Sequence, residues 1–196
     1  MIKMELNEKV YKMAVEKLKN TVSEKRYIHS LNVAETAENL AKAYGVDLLK
    51  AKIAGVLHDI TKEYTPVQHM ELMCKYGVTP GDVRIFDPNV FHGFTGSIYI
   101  ENVLNIDDKE ILNAVKHHIV GCARMTTFEK IIFMADCTSK ERKFEGVDKL
   151  RELSYNNINK AMLEKLKMNI SKYSFEINQR INPYAYEAYN DIIGDI

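Results

Sequence analysis

Apolar residues recur every three or four positions along most of the chain, roughly the period of a helix that buries one face. The pattern predicts a first helix over about residues 6 to 19 and a second from about Glu24 to Tyr44, stopping at Gly45, which suits a left-handed cap. Asp47 can cap a third helix running to about His58. Thr65-Pro66 opens a fourth that ends near Gly77, with proline at the first helical position, where its missing N–H costs nothing. Pro80, Gly81 and Pro88 make Val78 to Val90 irregular, after which Phe91 to Leu104 and Asp108 to Val120 read as helices. Thr126 and Glu129 have the spacing of a capping box for a helix through about Thr138. Asp148 to Leu153 predicts a short helix and Asn157 to Ile177 a long one, and the Tyr-rich tail from Asn178 is expected to pack.

No stretch sustains the alternation of a strand, no repeat of fixed period appears, and no low-complexity linker divides the chain, so the expected fold is one all-α domain. Nine glycines and four prolines in 196 residues leave few turns, which agrees with long helices. This length buries a core without disulfide staples. Lys and Arg number 27, as do Asp and Glu, which argues against a dedicated nucleic-acid binder and leaves an anionic substrate to local cations or a metal. Cys74, Cys122 and Cys137 form no CxxC pair, so neither a disulfide framework nor a thiolate zinc site is expected, and a reducing cytoplasm fits. The charged N-terminal stretch has the look of neither a signal peptide nor a membrane span.

Candidate chemistry centres on six histidines, of which His58-Asp59 supplies an imidazole and a carboxylate side by side, a transition-metal ligand pair. On the predicted helices His58 shares a face with the small residues Ala51, Ala54 and Gly55, and His29 with Val33, Thr36 and Leu40. His118 falls with Ile111, Ala114 and Val115 on an apolar face, whereas His117 falls with Glu110 and Asn113 and is expected to face water. Asp136 puts a carboxylate on the apolar side of the segment IIFMA, a costly placement without a cation or metal partner. Any one of these histidines alone reads as a satisfied core residue; together they point to a site.

The ordered segments RYIHSLNVAETAENLA, AGVLHDITKEY, FHGFTGS, ILNAVKHHIVG and MTTFEKIIFMADCTSKER resemble the HD-domain metal-dependent phosphohydrolases and, over nearly the whole chain, their bacterial YqeK-type members. The resemblance implies a helical bundle with a metal site in its core: a single HD domain over residues 1–196, with a core of about 24–142 and C-terminal helices and a nucleotide-covering tail over about 147–196. It implies symmetrical hydrolysis of diadenosine tetraphosphate, and related dinucleoside polyphosphates, to two ADP by attack of metal-bound hydroxide. Iron is the metal implied, as one or two ions, with other divalent transition metals open. His29, His58, Asp59 and Asp136 match the core ligands, Asp59 being placed to bridge a second ion, and His92 and His118 match second-site ligands or phosphate contacts. Lys62 and Arg142 match basic positions near the phosphates, so Asp59, Lys62, His92, His118 and Arg142 form the implied catalytic and phosphate-contacting set. Arg180, Ile181 and Pro183 lie in the stretch that resembles the nucleotide-covering tail.

The chain departs from the family pattern in three places. Ile119 and Val120 replace two threonines, and Asn182, Ala185 and Tyr189 replace a His, a Thr and an Arg of the tail. After the ADC segment, Thr138, Ser139, Lys140 and Glu141 replace a hydrophobic residue followed by Glu-Pro-Gly, so the acidic position before Arg142 is lost. Two other readings stay open: another nucleotidase or phosphodiesterase on the same metal site, and a non-catalytic nucleotide-binding sensor. The tyrosines fit core packing or a homodimer contact better than base stacking, and no membrane partner is expected.

Overall fold

In the computed structural model the described residues are 5–78, 88–172, 174 and 181–194. They form ten α-helices: α1 (Glu8–Lys19), α2 (Glu24–Tyr44), α3 (Leu48–Leu57), α4 (Pro66–Lys75), α5 (Phe91–Asn102), α6 (Lys109–His117), α7 (Thr127–Thr138), α8 (Val147–Asn156), α9 (Ile158–Ser171) and α10 (Pro183–Gly194). A single 3-10 turn, Pro88–Val90, leads into α5.

Local chemistry sets most of these boundaries. Asn7, Ser23, Asp47 and Asp108 each accept backbone N–H groups of the helix they precede, satisfying donors that the helix leaves orphaned. Thr65 with Gln68 and Thr126 with Glu129 close reciprocal capping boxes at α4 and α7. Gly45 ends α2 in the left-handed region at φ 68°. Three ends differ from the sequence reading. Helix α6 stops at His117 rather than Val120, α8 extends over Val147–Asn156, and the C-terminal tail contains a helix, α10, which buries Ala185, Ala188 and Ile192. Part of the segment read as irregular, and the end of the long helix read to Ile177, fall outside the described residues.

The bundle is organised around α2, α3, α6 and α7, which pack on one another; α1 covers α3, α5 packs on α6, and α9 lies on α7 with α8 and α10 against it. Leu40, Ile53, Leu57, Ile111, Ile131 and Phe133 are fully buried where these helices meet, each stabilising the fold by about 1.5–3 kcal/mol relative to exposure. The tightest approach is α3 against α2: a Cβ on Gly55 would lie 2.6 Å from Ala34 Cα and 2.9 Å from Ala34 N. The small residues that share a face with His58 therefore let two helix backbones nearly touch, bringing His29 of α2 and His58 of α3 within reach of one centre.

Candidate metal centre

His58 and His118 are built alike. Each follows the last residue of its helix, α3 or α6, and donates its Nδ1 hydrogen to a carbonyl three residues back, Gly55 O and Val115 O, both at 2.7 Å. Carbonyls in a last helical turn lack intrahelical partners. The ring that satisfies each one is locked with Nε2 turned into the bundle, the tautomer suited to metal ligation. Both histidines are buried, and their ring centroids lie 5.0 Å apart.

Asp59 sits at the middle. Its Oδ2 is 3.3 Å from His58 Nε2 and 3.7 Å from His29 Nε2, while its Oδ1 is 3.1 Å from His92 Nε2 and 3.6 Å from His118 Nε2. Asp136, on α7, closes the group with Oδ1 3.0 Å from His29 Nε2 and 3.9 Å from His58 Nε2. Four imidazoles from four helical elements thus converge on two carboxylates. Donor atoms of His29, His58 and Asp59, of Asp59, His92 and His118, and of His58, His118 and Asp136 fall into three overlapping clusters, within 4.8 Å in each.

Electrostatics hold the two aspartates ionised. Burial by itself raises both, but His58, His118 and His92 hold Asp59 well below the usual carboxylate range, and His29, His58 and Arg142 do the same for Asp136. His29 is lowered by burial, yet the neighbouring carboxylates of Asp136 and Glu141 raise it overall. His92 is pushed down to about 4, chiefly by burial, and is neutral at neutral pH. Its neighbour Lys62, with Nζ 3.2 Å from His92 Nε2, is lowered by burial as well.

The residues fit a metal ion. His29 Nε2 and His58 Nε2 are buried with no hydrogen-bond partner and are aimed at the same two carboxylates. Unpaired buried nitrogens are costly, and a divalent cation satisfies both at once.

Beside this cluster lies a cavity of about 340 Å³ whose wall includes Lys62, His118, Asp136, Arg142 and Lys165. Ile119 and Val120 line it, and Ile181, Asn182 and Ala185 close it from the start of the C-terminal segment. Pro183 opens α10 and is not part of this lining; Arg180 lies outside the described residues.

Two partners escaped the sequence reading. Arg26 NH1 donates to Asp59 Oδ2 at 2.6 Å; the residue stands three before His29, one helical turn away, and that spacing was the available signal. Glu141 accepts from His29 Nδ1, while Asn32 Nδ2 and Ser139 Oγ donate to the same carboxylate at 2.8 and 2.7 Å. Glu141 thus places a carboxylate behind His29, with Ser139 as one of its donors. His117 also departs from expectation. Its side chain is only 12% exposed and stands 3.7 Å from Glu129, because α7 begins over the face that a helical wheel leaves to solvent.

An all-α bundle with a buried His/Asp cluster at the meeting of its central helices defines a class of hydrolase folds. The chain belongs to the HD domain family, which matches residues 26–141, and an HD domain implies a divalent metal. It is 38% identical to the symmetrical bis(5'-nucleosyl)-tetraphosphatase of Staphylococcus aureus, over 94% of this chain and 95% of that protein. It is 31% identical to the protein of the same name from Bacillus subtilis, over 90% of this chain and 94% of the relative. The crystal structure of a predicted HD superfamily hydrolase involved in NAD metabolism from Clostridium acetobutylicum superposes with a TM-score of 0.90 at 36% identity, covering 95% of this chain and 98% of that one.

Proposed function

We propose that this chain hydrolyses diadenosine tetraphosphate, and related dinucleoside polyphosphates, symmetrically to two ADP. In this reading one or two iron ions are held by His29, His58, Asp59, His92, His118 and Asp136. The observation that carries it is the division of Asp59, whose Oδ2 faces His29 and His58 while Oδ1 faces His92 and His118. A carboxylate shared in this way suits a bridge between two ions, in a chain similar along nearly its whole length to symmetrical tetraphosphatases.

When bound, the metal supplies a lowered pKa for a coordinated water and an offset for phosphoryl charge. The chain's own groups do the rest. Lys62 and Arg142 border the cavity beside the cluster and face the phosphates, stabilising charge that gathers on the phosphoryl oxygens. Arg142 also donates through Nε to the Asp136 carbonyl at 2.9 Å and through Nη2 to the Asp136 carboxylate, so one side chain fixes a ligand and meets the substrate. Ile119, Val120 and Ile181 give the cavity an apolar wall that seats the nucleoside and keeps water from the leaving group. Among the described residues no helix is long and apolar enough to cross a membrane; the three free cysteines support the cytoplasmic site of action that belongs to this reading.

The test is anaerobic incubation of the iron-loaded protein with diadenosine tetraphosphate, with the nucleotides resolved by chromatography. ADP as sole product is expected. AMP with ATP overturns the symmetrical cleavage, and absence of turnover overturns the hydrolase reading.

A further inference from the structure

A second group of metal-ligating side chains lies outside the Asp59 centre, where α6 ends and α7 begins. His117 is the last residue of α6, and Glu129 stands in the first turn of α7. Between them the chain doubles back. The Gly121 N–H donates to the His117 carbonyl at 2.8 Å with φ at 73°, and a Cβ at Gly121 would meet Met162 Cε at 2.9 Å and Ala188 Cβ at 3.0 Å. This turn returns Cys122 to the side of His117. Arg124 N–H, donating to Asp191 Oδ2 at 2.7 Å, ties the remaining connection to α10.

The three side chains are held with donor atoms facing one another. Glu129 uses Oε2 to accept the Thr126 N–H at 2.7 Å, which leaves Oε1 3.7 Å from His117 Nδ1, too far for a hydrogen bond. The His117 ring is flanked by Phe94 and Tyr184, with centroids at 6.5 and 6.0 Å. Its Nδ1 is buried and has no hydrogen-bond partner. Donor atoms of His117, Cys122 and Glu129 all lie within 4.8 Å of one another.

We propose that His117, Cys122 and Glu129 form a second metal site, for a borderline thiophilic divalent ion such as zinc, with the remaining coordination position left to water. Imidazole, thiolate and carboxylate are all zinc donors, and the ion satisfies the otherwise unpaired His117 nitrogen. Burial and the nearby Glu129 push the Cys122 thiol up to about 12. Coordination therefore displaces its proton to solvent, and the ion binds more tightly as pH rises. An ion here clamps the end of α6, next to His118, to the start of the helix that carries Asp136.

Cobalt(II) titration of the full-length protein tests the site, because a cobalt–thiolate bond gives a near-ultraviolet charge-transfer band that an oxygen and nitrogen centre does not. The band is expected in the wild type, in Cys74→Ser and in Cys137→Ser, and is lost in Cys122→Ser and His117→Gln. Zinc bound per chain falls by one ion in Cys122→Ser, while circular dichroism and metal-free melting, which report the fold, stay at wild-type values. No band in the wild type, a band that survives Cys122→Ser, or one that vanishes in Cys137→Ser overturns the proposal and leaves His117 and Glu129 as an ion pair only.

Discussion

Glu141 accepts the Nδ1 hydrogen of His29, and that one contact decides which nitrogen of the ring faces Asp136 and Asp59. With Nδ1–H committed to a carboxylate, Nε2 carries the lone pair, and the negative charge behind the ring makes it a better donor. Glu141→Gln keeps the size but presents a neutral amide that can also donate. Metal affinity, measured by competition with a chelator, is expected to fall about 10–100-fold, with circular dichroism unchanged. Wild-type affinity in this variant assigns the contact no role in binding.

Asp59 is the only carboxylate within reach of all four clustered imidazoles among the described residues. Asp59→Asn retains the shape and removes the charge, leaving His58, His92 and His118 without a common anionic partner. Loss of both bound metal and diadenosine tetraphosphate turnover is expected, read by elemental analysis and product chromatography on the same sample.

The Lys62 ammonium stands beside His92 and borders the cavity. Lys62→Met preserves the apolar stem and removes the ammonium. Metal content is expected to stay constant while kcat/KM falls about 10²-fold, because the missing charge acts on phosphate rather than on the ion.

Gly55→Ala places a methyl 2.6 Å from Ala34 Cα, where neither helix backbone can yield locally. Overpacking of this kind costs about 1–3 kcal/mol. The variant is expected to melt at lower temperature. It also binds metal more weakly, since separating α3 from α2 separates His58 from His29.

His69 lies outside the metal cluster, buried, with Nδ1 2.8 Å from Thr95 Oγ1. Burial, aided by the charge on Lys62, lowers its pKa below the ordinary 6.5. The unfolded chain therefore takes up this proton before the folded one does, and stability falls as pH drops below about 6.5 toward the folded-state value. His69→Gln keeps a hydrogen-bonding group but does not titrate. Thermal melts of the metal-free protein across that interval are expected to show a shallower acid slope in the variant.

The sequence by itself determined helices α1 to α9 and the inward faces of His29, His58 and His118, because capping, left-handed glycine and helical periodicity act over a few residues and are written locally. Thr126 with Glu129, Gly45, and the small-residue stripe ending at Gly55 were legible for that reason. The helix in the C-terminal tail was not, since its tyrosines spread apolar surface around the whole helix and blur the period. Tertiary structure alone decided which oxygen of Asp59 faces which pair of histidines, that Glu141 stands behind His29 across more than a hundred residues of chain, and that the start of α7 covers His117. It also brought Cys122, unpaired in sequence, beside an imidazole and a carboxylate. These are distances between segments remote along the chain, fixed by how helices pack and loops return, and no local pattern carries them.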